Sequence, residues 1–258
     1  MSVTFARGTF RPAPGRGRLG RMLAAQAGTE LKLALRNGEQ LLLTLIIPVA
    51  MLIGLTELPI VDVSQPRIAW VAPRVLALAV MSTAFTSQAI ALGFDRRYGV
   101  LKRLAATALP RWLLVAGRVI AACGMVAIQM VLLSAIALAL GWSPHLSGIG
   151  PTVALLVLGA LAFGALGVLL GGSLRAEIVL AAANAIWFLL VLGGGIAVPD
   201  SALPHGVDTV VHLLPSGALA SGLSDALSTG AVGAEPYLVL AAWALVAGAV
   251  ATRTTRLT

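Results

Sequence analysis

From Val75 to Phe94 the chain runs for 20 residues without a charge, and from Val119 to Leu140 it does so for 22. A helix rises about 1.5 Å per residue, so each run matches the hydrocarbon thickness of a bilayer. Pro151–Gly172 adds 22 uncharged residues and Ile178–Val198 adds 21. Two shorter runs flank the set, Leu41–Thr56 with 16 residues and Tyr237–Ala251 with 15. Inside lipid every backbone polar group needs a partner within the protein, so such runs can only be helices. The short first run is expected to extend into Gly38–Gln40 and past Leu58, and Pro48 to kink it. The sixth must borrow flanking residues. Only 11% of the 258 residues are charged, against about 25% in soluble domains. This chain lacks the polar surface a soluble fold needs. The expected fold is an all-α membrane protein of six transmembrane helices in one domain.

Charge sets the orientation. The first 40 residues hold seven Lys or Arg, and the segment between the second and third spans, taken to Arg118, holds six. With Arg175, Arg253 and Arg256, 16 of the 18 basic residues fall on one side of a six-span map. The other side has only Arg67 and Arg74, with six of the ten acids: Glu57, Asp62, Asp200, Asp208, Asp225 and Glu235. Basic loops stay in the cytoplasm, so both termini are expected inside. The net charge of +8 is thus spread by topology and forms no nucleic-acid patch.

Residues 1–17 are rich in Pro, Gly and Arg without apolar periodicity and read as a disordered basic N-terminus. No apolar h-region follows directly, so a cleaved signal peptide is not expected. Residues 18–37 read as an amphipathic helix. Arg18, Arg21, Lys32 and Arg36 share one face with Thr29. Leu19, Leu23, Ala27, Leu31 and Ala34 share the other, as in an interfacial helix with cations toward lipid phosphates. Glu57–Pro73 reads as a polar connection, Trp142–Gly150 as a short turn and Ser173–Glu177 as a tight one. Between the last two spans, Val207–Leu214 and Ala218–Leu227 read as short helices, neither able to span, dipping into the outer leaflet or lying on it. Gly167 and Gly171 form a GxxxG, which lets helix backbones approach closely in lipid.

Several chemistries are missing. The only lysines are Lys32 and Lys102; neither follows a glycine, so no phosphate-binding P-loop is present. There is no HExxH and no CxxC. The single cysteine, Cys123, reads as a small buried hydrophobe. His205, Asp208 and His212 have the spacing of one helix face, but solvated loop residues are the ordinary reading. No charge lies in mid-span, where an ion-coupled transporter usually carries one. The energy for any transport must then come from elsewhere.

The most charged interior segment is Phe94–Arg118, FDRRYGVLKRLAATALPRWLLVAGR. Its short helical core places Leu101 and Leu104 on one face and Lys102 and Arg103 on others. Such a helix can dock its leucines in a groove of a soluble partner. A basic loop bound only to lipid is equally open on the residues alone. In the spans, Gln88, Gln129 and Asn184 are polar positions that can line a path or join helices by hydrogen bonds.

The order of these features resembles the permease subunit of ABC-2 type exporters, a group that includes daunorubicin-type drug efflux permeases. The resemblance covers about residues 18–252. It rests on Asp95, Arg96, Arg97, Gly99, Leu101, Lys102, Leu104 and Pro110, on Arg118, and on Pro199, Pro204, Leu214 and Pro215. Ala108 stands where the family often has proline. The resemblance implies a permease without enzymatic activity, and a coupling helix at about Tyr98–Ala106, with Asp95–Tyr98 and Arg103 in the same coupling segment. It implies two separate ATP-binding subunits that hold ATP and Mg, and a second permease copy or paralogue. It further implies an amphipathic substrate (a drug, lipid or glycolipid) and a bacterial plasma-membrane location. A non-transporting scaffold or sensor subunit would share this topology.

Overall fold

A computed structural model of the chain describes residues 17–58, 65–105, 110–196 and 207–254, and every regular element among them is helical. In chain order these are α1 (Leu19–Arg36), α2 (Gly38–Glu57) and α3 (Arg67–Met81), then a π-helical turn (Ser82–Ser87) that leads straight into α4 (Gln88–Arg97). There follow α5 (Val100–Ala105), α6 (Arg111–Ala139), a 3-10 turn (Leu146–Gly148), α7 (Ile149–Ser173) and α8 (Ala176–Gly193). The chain continues through α9 (Val207–Leu213), α10 (Pro215–Thr229) and α11 (Ala234–Thr254).

Among the described residues, five stretches are long and apolar enough to cross a membrane: Arg67–Arg97, Trp112–Ala139, Leu146–Ser173, Ala176–Gly193 and Ala234–Thr254. The helix α2 carries a shorter apolar stretch, Thr44–Glu57. It does extend back to Gly38, but it stops at Glu57 rather than past Leu58, and Pro48 lies inside it. The expected polar connection up to Pro73 is corrected. The helix α3 begins at Arg67, and Pro73 is part of it. Every residue from Val71 to Met81 is buried, so packing from neighbouring helices offsets the hydrogen bond that Pro73 removes. The span expected over Ile178–Val198 ends at Gly193, short of Val198, where glycine weakens the helix.

The continuous Arg67–Arg97 helix is the axis of the bundle: 67% of its apolar window is buried, against 17% for α11. Leu52, Leu133, Phe163, Leu219 and Leu240 close around it from five other helices, and Phe85 is its own fully buried aromatic. Two glycines explain how tightly α7 approaches. A Cβ on Gly167 would run into the carbonyls of Ala84 and Phe85, and one on Gly171 into that of Ala89. The GxxxG is therefore a true helix contact, made to the π-turn and α4.

The π-turn, STAFTS, is also where polar groups meet. Thr83 donates through Oγ1 to Gln129 Oε1 on α6 (2.7 Å), and Gln129 Nε2 donates to the Thr44 carbonyl on α2 (3.1 Å). Trp187 Nε1 on α8 donates to Ser82 Oγ (2.9 Å), which donates back to the Leu78 carbonyl (2.8 Å). Serine and threonine can thus hold a π-turn by offering side-chain partners within and beyond the helix.

At the other end, α9 and α10 form a hairpin folded into the bundle. Pro215 opens α10 at its first turn, and Gly230 closes it with φ +79°, an arrangement both residues favour. Ten of its residues are buried against α3, α7 and α11. Ala226 lies on Gly148 and Leu219 on Gly159. The hairpin therefore reaches about 16 Å along α7, from the spacing of these glycines and the helical rise. Arg74 joins α3 to α10 through Ser224 Oγ (3.3 Å), with its guanidinium over Trp70 at 4.2 Å.

The helix α1 lies along α6, with Gln26 and Ala27 over Gly117 and Leu31 over Gly124. Leu23, Ala27, Leu31 and Ala34 turn toward the protein, together with Gln26 and Glu30, while Leu19 is exposed. The face expected at the acyl boundary is thus largely given to α6. The cations Arg18, Arg21, Lys32 and Arg36 are exposed, as the periodicity requires. The expectation of disorder over 1–17 lies outside the described residues, Gly17 apart.

Candidate functional site

Basic residues collect at one end of the bundle because the helices carrying them end together. Arg96 Nη1 on α4 donates to the carbonyls of Gly171 (3.0 Å) and Leu174 (3.2 Å). These acceptors lie at the C-terminal end of α7, where carbonyls lack helical partners. Arg97 pairs with Glu177 at the start of α8, and Ser173 meets Thr254 at the end of α11. Arg97 and Glu177 are both half-exposed or more, so their pair adds little stability.

The chain turns at Tyr98–Gly99 into α5. Gly99 has φ +68°, a conformation glycine adopts without a steric penalty. The short helix α5 lies within the segment Tyr98–Ala106 expected as a coupling helix; Tyr98 and Gly99 form the turn before it, and Ala106 lies outside the described residues. Tyr98 is 65% exposed and stacks on Phe94. Lys102 and Arg103 are exposed. Leu101 is not: it is 8% exposed, beside Gly93 and Leu174. In the chain alone its side chain packs on the protein's own α4–α7 end instead of facing outward. The side chain of Leu104 lies outside the described residues. Among the described side chains, the outward surface of the turn and α5 is thus cationic and aromatic, from Tyr98, Lys102 and Arg103.

Just above this turn, Asp95 forms an ion pair with Arg118 on α6, and Glu30 on α1 approaches Arg118 at 3.8 Å. Arg118 does not open the third span as its position implied. It lies two turns inside α6, which starts at Arg111, and its side chain is 12% exposed. Three elements converge on one guanidinium, so α1, α4 and α6 are tied at this level. Sequence reasoning missed Glu30. The available signal was an acid on the apolar side of an otherwise basic helix.

This cluster forms one wall of a cleft of about 260 Å³ between α1, α2, α4 and α6. Ser87 and Gln88 line it from the central helix, Thr44 and Thr83 from its far end, and Ala121 and Met125 supply an apolar side. Such a cleft can hold a molecule with a hydrogen-bonding head and an apolar body. Gln88 is therefore on a cavity. Gln129 is fully buried, and its amide is committed to Thr83 and Thr44. Asn184 is exposed on α8 and donates to the Leu180 carbonyl of its own helix (2.9 Å). The three polar span residues are not brought together.

Other sequence features fall elsewhere. Among the described residues no His, Cys, Asp and Glu group has the arrangement of a metal site. His205 and the side chain of Asp208 lie outside those residues, as do Ala108, Pro199 and Pro204.

Comparison with known proteins agrees with this architecture. The family model described as ABC-2 type transporter matches residues 24–227. The Bacillus subtilis (strain 168) protein named "Putative transport permease YvfS" is 27% identical over 231 residues, covering 86% of this chain and 92% of that protein. The matched segment takes in most of α1, the central helix, the turn at Tyr98–Gly99 with α5, and nearly all of α10. The chain is a multi-pass membrane protein that belongs to the ABC-2 type transporter family.

Proposed function

We propose that this chain is the membrane-spanning subunit of an ATP-driven exporter of amphipathic molecules. The observation that carries the proposal is the construction of the basic end. A short cationic helix, α5, is joined through one glycine turn to the foot of the most buried helix in the bundle. Force applied at α5 passes into α4, and through Asp95–Arg118–Glu30 into α6 and α1. An external motor needs such a lever, since the chain has no P-loop of its own.

In this reading α2 is the first of six spans, the basic end faces the cytoplasm, and both termini are inside a bacterial plasma membrane. Two ATP-binding subunits dock beneath α5, using Arg97, Tyr98, Lys102 and Arg103. A second permease, identical or paralogous, completes the path. The polar cleft beside Gln88 receives the substrate's head from the inner leaflet, with its apolar part toward Ala121 and Met125.

The test is transport in inside-out vesicles carrying this chain and its ATP-binding partner. ATP should drive uptake of a fluorescent amphiphile, and Gln88→Leu should alter the choice among amphiphiles. ATP hydrolysis indifferent to every amphiphile tried, with no uptake, would contradict export.

A further inference from the structure

We propose that the cavity between α5 and the α7–α8 turn binds the phosphate of an anionic lipid headgroup. The cavity has a volume of about 480 Å³ and brings together Arg96, Arg97, Lys102 and Arg175 against a single carboxylate, Glu177. Two of the cations are already held in place, Arg96 by the Gly171 and Leu174 carbonyls and Arg97 by Glu177. The other two, Lys102 and Arg175, are exposed and make no hydrogen bond or ion pair among the described residues. A concave surface with an excess of three positive charges favours an anion over water alone. Arginine forks and a lysine point charge suit phosphate oxygens.

Position argues that the phosphate is carried by a lipid. Leu101 and Leu174 form the apolar part of the cavity, and Leu174 and Ile178 are exposed at its α8 side. Acyl chains anchored by a headgroup here would run down the outer face of α8. Basic pockets between transmembrane helices on the cytoplasmic side commonly take anionic headgroups. The site spans two loops, so an occupied cavity would tie α5 to the start of α8 and set the resting height of α5. The inference rests on the basic end lying at the inner leaflet. Its test needs neither transport nor ATPase activity, so it fails independently of that reading.

The experiment is native mass spectrometry of the full chain in detergent, offered an equimolar mixture of phosphatidylglycerol and phosphatidylcholine. The intact protein should retain phosphatidylglycerol preferentially. Lys102→Gln with Arg175→Gln should weaken that retention about thirtyfold, from roughly a fivefold contribution per cation near a membrane surface. Arg253→Gln, an exposed cation at the same end outside the cavity, should leave it unchanged. Both substituted positions of the double variant are on the surface, so its melting temperature should equal that of the parent. No preference in the parent would overturn the proposal, as would an equal loss with Arg253→Gln. Displacement of the lipid by inorganic phosphate at matched concentration would make the cavity a soluble-anion site and overturn it too. Lipid retention left intact by the double variant would free the cavity's cations for a protein dock, with the same consequence.

Discussion

At the scale of single residues, the account turns on side chains that join helices. Arg118 is held by Asp95 and approached by Glu30, with little access to solvent. Removing one member of a buried pair leaves a charge uncompensated, which costs on the order of 3 kcal/mol. Arg118→Gln should therefore lower the thermal midpoint of the purified chain in detergent. Asp95→Asn in the same background should cost less than it does alone, a coupling that a double-mutant cycle reads directly. Gln129 is a second such joint. Gln129→Leu should cost about 1 kcal/mol, the usual worth of an interhelical hydrogen bond in lipid, and should leave substrate preference unchanged. A shift in preference without a loss of stability would return Gln129 to the transport path. Arg74 ties α3 to α10, and Arg74→Met should expose α10 to added protease before the rest of the bundle. Little of this was legible beforehand. A glutamine in an apolar span signals that a partner exists, but the identity of Thr83 and Thr44 depends on which helices become neighbours.

Among elements, the sequence marked the long helices well and their use poorly. Uncharged length is enough to locate Trp112–Ala139 or Leu146–Ser173, because backbone hydrogen bonding in lipid leaves no other choice. Lipid and protein interior are equally apolar, however, so composition does not tell which helix is central. The small and hydroxylated residues Ala77, Ala79, Ser82, Thr83 and Ala84 on the axis were the available signal. The helix α5 shows the opposite case. Its position was readable from Gly99 and the surrounding charges, but the direction of Leu101 was not, since a six-residue helix can turn its apolar side to a partner or to its own bundle. Leu101→Asp should accordingly destabilise the chain itself, by about 2–4 kcal/mol for a charge forced into an apolar site, as melting without any partner would report. The hairpin of α9 and α10 was readable as two short helices. Its depth was not, because that depends on Gly148 and Gly159 facing Ala226 and Leu219. Gly148→Val should force α10 outward and cost about 1–3 kcal/mol by overpacking.

For the whole molecule, the sequence-level expectation of an all-helical membrane domain agrees with the structure and with the family match. Among the described residues five helices have full membrane length and composition, and the expected first span is a shorter apolar stretch inside α2. The grouping of basic residues at one end was read from counts alone. It is realised physically by Arg96 on the end of α7, Arg97 on Glu177, and Ser173 beside Thr254. The central claim is that this end is where an ATP-binding subunit grips. The most direct measurement is co-purification of the full chain with that subunit from mild detergent, comparing Lys102→Glu with Arg103→Glu against Arg253→Glu. The account predicts a stable complex for the parent and for Arg253→Glu, and a complex lost on charge reversal in α5 with the permease still folded. A complex that survives reversal at Lys102 and Arg103 would place the grip elsewhere and contradict the lever.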